Sequence, residues 1–171
     1  MSISVSDVMN GLATQQVHGL ILILKKAKEY SVESCTDYAT LMDARLHPDM
    51  YPLSWQLNAT LEILIRGSAR LSRAEVKGLT LNEDESDFDG LIASVEGLQQ
   101  KLLGSDSALL DQSEAETFDV PVGPDASMPM TGKEYLLKFL LPNFYFHLTT
   151  SYDLLRMSGV AVGKRDYLGV S

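Results

Sequence analysis

Asn143, His147, Thr150 and Ser151 fall three or four residues apart near the C-terminal end of the chain. A helix would place them on one face together with Leu154. Histidine changes charge close to neutral pH, so His147 suits a general base or acid in a proton transfer. Pro142 has no N–H and presses on the carbonyl of Lys138, four residues earlier. A bend there would free backbone acceptors beside the histidine and make a polar pocket wall. The structural alternative is a core histidine bonded to a threonine or aspartate, on a helix that the proline merely bends. Tyr145 and Tyr152, seven apart, share a face and can stack in a core or donate to a ligand.

A second polar cluster lies in ARLHPDMYPLSWQ, residues 44–56. Arg45 can clamp Asp49 or an inner carboxylate. It can equally give a bidentate hold on an anionic or enolate-like ligand. Asp49 is also a candidate helix N-cap, with Pro52 tolerated in the first turn. Gln56 and Asn58 sit among apolar neighbours, and whichever faces inward needs a partner, either a ligand or His147. His47 precedes a proline and reads as a loop residue.

These residues need helices to position them. A first helix is expected over residues 4–29, capped by Ser4 or Ser6, with Asp7 at its positive end. A long connection with a short helix at 37–44 follows. The second long helix runs to about Ser72, with Leu53, Leu57, Leu61, Leu64 and Ile65 repeating at three and four. Residues 74–84 read as a linker, and the acidic run Glu83-Asp-Glu-Ser-Asp87 as a solvated loop and helix start. Ser86-Asp-Phe-Asp89 resembles a capping box opening a third helix, which Gly104 ends. Residues 116–130 break the helical pattern: Thr117 to Val122 alternates, Gly123-Pro-Asp-Ala-Ser127 is turn chemistry and a short return follows, which predicts a hairpin. Thr131-Gly-Lys-Glu134 is a capping box for the last helix. Four amphipathic helices with long first and third connections predict an all-α four-helix bundle, one domain over 1–171, with a small β-hairpin before the last helix.

Composition limits the function classes. A chain of 171 residues can bury a core, and its net charge of −9 disfavours nucleic acid and anionic lipid as partners. Cys35 is the single cysteine, so no internal disulfide forms and a reducing, cytoplasmic setting is expected. The apolar run Gly19–Leu24 is too short to span a bilayer. No Gly-rich phosphate cradle, nucleophile elbow or Cys–His signature is present.

Arg45-Leu-His-Pro-Asp-Met-Tyr-Pro-Leu53, the stretch Leu141-Pro-Asn-Phe-Tyr-Phe-His-Leu-Thr-Thr-Ser-Tyr-Asp-Leu-Leu-Arg156 and the following Gly163-Lys-Arg-Asp-Tyr-Leu-Gly169 resemble an uncharacterised family within the DinB/YfiT-like metalloenzyme superfamily. The resemblance covers nearly the whole chain and implies a DinB-like bundle, often dimeric. Better-known members hold a divalent metal with one histidine after a tryptophan on the second helix and two histidines four apart on the last. Here Trp55 is followed by Gln56, and His147 is followed four later by Ser151. The resemblance therefore carries over the fold and the place of a pocket, not the metal chemistry.

The expected function is a small-molecule site that needs no cofactor and no metal. His147, Arg45 and Asp49 form its catalytic set, and Asn143, Tyr152, Gln56, Trp55 and Ser151 its substrate-binding set. Arg45 would stabilise developing negative charge, and proton transfer in an isomerase, dehydratase or cyclase would suit the set. One alternative is a divalent ion held by His147 with Asp49 or Asn143 oxygens. Another is a non-catalytic, homodimeric binding or scaffold protein.

Overall fold

The computed structural model describes residues 3–74, 87–123 and 125–170. The linker expected at 74–84 lies outside these beyond Ala74, as do Glu83–Ser86 of the acidic run and Pro124 of the hairpin turn. The protein is an all-α four-helix bundle with a small β-hairpin before the last helix.

The first rod comprises α1 (Val5–Gly11), a π-helical stretch (Leu12–Val17) and α2 (His18–Ser34). Ser4 and Asp7 form a reciprocal capping box at its start, which satisfies two otherwise orphaned N–H groups. The rod outlasts the expected end at residue 29 and stops where Cys35 turns left-handed, φ 53°. A short α3 (Tyr38–Met42), capped by Asp37, leads to α4 (Leu53–Ser72). Across the undescribed segment, α5 (Phe88–Leu103) is capped by Asp87, whose carboxylate accepts from the Gly90 N–H. Asp87 thus occupies the cap position expected for Ser86. Next come α6 (Ser107–Gln112) and a 3-10 turn (Ser113–Ala115). Strands β1 (Thr117–Pro121) and β2 (Ser127–Thr131) pair antiparallel from Thr117 opposite Thr131 to Pro121 opposite Ser127.

The last rod opens on the expected capping box of Thr131 and Glu134. It continues through α7 (Gly132–Glu134), a π-helical stretch (Tyr135–Leu140) and α8 (Leu141–Met157). The π stretch is the local answer to Pro142. Leu141 donates to the Leu136 carbonyl, five residues back, so the turn before the proline is widened. One residue beyond the proline, the Asn143 side-chain amide donates to the Phe139 carbonyl at 2.7 Å. A final α9 (Lys164–Tyr167) folds back on α2.

In the bundle α4 packs chiefly on α8, and α2 on α5. Leu53, Leu57, Leu61 and Leu64 of α4 and Phe144, Leu148, Leu154 and Leu155 of α8 are all buried in the core. Gly67 lets α4 approach the π stretch of the last rod, since a Cβ there would collide with the Leu140 side chain. No helix among the described residues is long and apolar enough to cross a membrane.

One core position is imperfect. Gln16, on the first π stretch, is 7% exposed, and its Oε1 has no hydrogen-bond donor among the described residues. An unpaired buried acceptor carries its desolvation cost without return. Gln16→Met keeps an unbranched side chain of similar size and removes the polar atoms. Urea unfolding should report a gain of about 1 kcal/mol.

Candidate functional site

The site is built where the start of α4 meets the middle of α8. Asp49 does not cap α4. It lies exposed in the loop and pairs with His47, and the N-cap is Pro52, in extended conformation. The reason is local: a proline holds its predecessor extended, so no helical turn runs through Tyr51. The helix instead begins at Leu53, whose N–H donates to the Ala44 carbonyl at 2.9 Å. Tyr51 is left with a carbonyl available to a side chain one turn into the helix.

Gln56 uses it. Its Nε2 donates to the Tyr51 carbonyl at 3.3 Å, and its Oε1 lies 2.8 Å from His147 Nδ1. Gln56 is 2% exposed, so both ends of its amide are committed inside the protein. The amide nitrogen faces Tyr51, so the oxygen faces the imidazole, and an oxygen only accepts. Nδ1 therefore carries the proton, and Nε2 carries the lone pair. No described residue bonds Nε2. Burial lowers the His147 pKa from its ordinary value, which keeps the ring neutral at neutral pH. Trp55 and Phe146 meet the imidazole edge-on at 5.3 and 5.1 Å between ring centroids, and Tyr51 stacks on Trp55 at 4.2 Å.

His147 and Trp55 form one end of a cleft of about 330 Å³. Its α4 wall is a stripe of Trp55, Ala59, Glu62, Ile63, Arg66 and Arg70. The hairpin adds Val120 and Pro121, and the second π stretch adds Tyr135 and Phe139. The widened turn before Pro142 therefore contributes directly to the wall.

The other expected residues are engaged elsewhere. Arg45 is exposed, donates to the Met50 carbonyl at 2.6 Å and makes no ion pair with Asp49. Neither Arg45 nor Asp49 lines the cleft. Ser151 and Thr150 are buried and donate to the His147 and Phe146 carbonyls, so these hydroxyls serve the helix itself. Asn143 is held by Phe139, as described above. Tyr152 packs edge-on against Tyr167 at 5.7 Å, away from the cleft.

A sequence family described as Domain of unknown function (DUF1993) matches residues 6–168. The chain belongs to this family. The protein is also similar to a solved structure of a DinB family member protein from Shewanella denitrificans, at 27% identity and a TM-score of 0.81. The match covers 99% of this chain and 91% of that one. No curated protein matches the sequence.

The DUF1993 chain brings together the positions that the superfamily's three-histidine pattern would use, but with a different donor set. Gln56 is locked between Tyr51 and His147, and the Ser151 hydroxyl donates to a backbone carbonyl. Only one imidazole nitrogen, His147 Nε2, points away from these contacts. Among the described residues no group of three or more His, Cys, Asp or Glu could hold a metal ion. These residues do not fit a three-histidine centre.

Arg66, Arg70, Tyr135, Phe139 and the hairpin residues were not expected at the site. The arginines had a signal in the sequence: Trp55, Ala59, Glu62, Arg66 and Arg70 follow each other at steps of four, three, four and four. Such a stripe must share one helix face with Trp55. Nothing comparable announces Val120 and Pro121, whose place depends on how the hairpin folds over α4.

Proposed function

We propose that this DUF1993 protein is a small-molecule-binding helical bundle. Its cleft carries out cofactor-independent proton transfer of the isomerase, dehydratase or cyclase type, with His147 as general base. One observation carries the reading: Gln56 engages Nδ1 of His147, a residue that lines the cleft, and leaves Nε2 as the basic nitrogen. Trp55 and Phe139 would hold the substrate body, and Gln56 acts through the histidine.

The test needs no natural substrate. Nitrobenzisoxazole opens when a base takes its ring C–H proton: the N–O bond breaks and a cyanophenolate forms, with no co-reactant consumed. The protein should accelerate this opening beyond an equal concentration of free imidazole, and His147→Gln should remove the excess. A rate equal to free imidazole, or one unchanged in His147→Gln, would overturn the proposal.

Binding without turnover is a second reading. Tyr51, stacked on Trp55, and Phe146, against His147, are 59% and 58% exposed and suit a homodimer contact. A solution mass of one chain would remove it.

A further inference from the structure

We infer that the cleft is built for an elongated organic carboxylate, with the carboxylate held by Arg66 and Arg70 and the apolar body reaching toward His147. This rests on the small-molecule reading of the cleft and adds the class of ligand. Arg66 and Arg70 stand one turn apart on α4 and both line the cleft. Arg70 is already held in position. Its Nη1 donates to the Asp119 carbonyl at 2.8 Å, and its guanidinium lies 5.4 Å from the centre of the Tyr135 ring. It has no carboxylate partner among the described residues. A planar guanidinium fixed in this way offers its remaining donors to a carboxylate at little entropic cost.

Among the described residues Arg66 is tethered only by Glu62, four residues earlier, at 3.1 Å on an exposed surface. Such pairs are weak, so an incoming carboxylate can compete for it. The charged residues lining the cleft are two arginines and one glutamate, net positive, on a chain of net charge −9. A local sign opposite to that of the whole molecule attracts an anion specifically to this cleft. The same field reaches the Tyr135 hydroxyl: burial raises its pKa, and the charges of Arg70 and then Arg66 oppose the rise.

Length follows from the helix. Arg66 lies roughly 15 Å along α4 from Gln56 at ~1.5 Å per residue. The arginine side chain shortens the gap, but a compact acid such as acetate could not touch both ends. The surface between them is apolar: Ala59, Ile63 and Phe139. Phosphate or sulfate would find the arginines and leave that surface bare.

Trp55 is the single tryptophan of the chain and touches His147, so its emission reports a ligand that spans the cleft. Phenylhexanoate and its neutral amide, phenylhexanamide, should be titrated side by side. The carboxylate is expected to bind about tenfold more tightly than the amide. Arg66→Gln should remove most of that preference and leave the amide affinity alone. Glu62→Gln, which frees Arg66, should raise carboxylate affinity and serves where Arg70 variants disturb the hairpin. Equal binding of acid and amide would overturn the anion inference and leave the small-molecule reading standing. If neither compound moves the Trp55 emission, both fall.

Discussion

Gly19→Ala is expected to destabilise the protein by about 3 kcal/mol, at the upper end of overpacking costs. A Cβ on Gly19 would lie 2.6 Å from the Tyr167 carbonyl oxygen, 2.9 Å from that of Asp166 and 3.1 Å from the Gly169 nitrogen. All three are backbone atoms and have no rotamer into which to retreat. The tail they belong to is firmly held. Asp166 is buried, pairs with Lys26 at 2.9 Å and accepts the Gly163 N–H at 2.7 Å. Gly169 itself has φ +66° and sits against the Gln15 carbonyl, so it cannot shift to make room without strain. The methyl group must therefore push α9 off α2 or distort α2. Gly11→Ala is the control of opposite sign. No atom lies within 4 Å of its Cβ position, and alanine at this helical site should stabilise by about 0.5–1 kcal/mol. Urea midpoints of the two variants should move in opposite directions. A Gly19→Ala midpoint equal to that of the parent would show that the tail does not depend on this approach.

That tail also illustrates how much of the fold was legible. Its glycines and Lys164, Arg165 and Tyr167 were visible, but which helix it met was not, because the contact is made by backbone. Elements announced by local chemistry were read correctly: the Ser4 and Thr131 caps, the heptad-like leucines of α4 and the hairpin around Gly123. Asp49 illustrates the limit of such signals. Its type suits an N-cap, yet Pro52, three residues on, delays the helix and leaves the aspartate to His47. At the site, the requirement that a buried amide find a partner left Gln56 or Asn58 facing inward, toward a ligand or His147, and the structure pairs Gln56 with His147. Charge complementarity between Arg45 and Asp49 was a poorer guide, since two exposed loop side chains gain little from pairing. Thr150 and Ser151 gave the last helix its polar appearance, and both hydroxyls satisfy carbonyls of their own helix.

Gln56→Leu should slow the chemistry nearly as much as loss of His147 itself, although Gln56 does not line the cleft. It removes the acceptor that holds the proton on His147 Nδ1, and leucine is near enough in size to keep the core filled. A neutral imidazole without that acceptor can carry its proton on Nε2 instead, and the basic lone pair then faces the protein interior. Base-promoted opening of nitrobenzisoxazole should fall about a hundredfold, approaching the loss in His147→Gln. Substrate-analogue binding should change little, because the cleft walls are intact. Nitrogen NMR of the imidazole separates this from a general loss of structure: the parent should show the Nδ1–H form, and Gln56→Leu a shift toward Nε2–H. The pH dependence has a definite sign. Burial holds the His147 pKa below 6.5 in the folded protein, so the base form is present through neutrality and the rate should fall only in acid. In that same acid window the unfolded chain binds more protons than the folded one. The stability linked to His147 is therefore complete above pH 6.5 and is lost as pH falls through the folded value. A parent protein whose His147 titrates above 6.5, or already carries its proton on Nε2, would leave Gln56 with a packing role only.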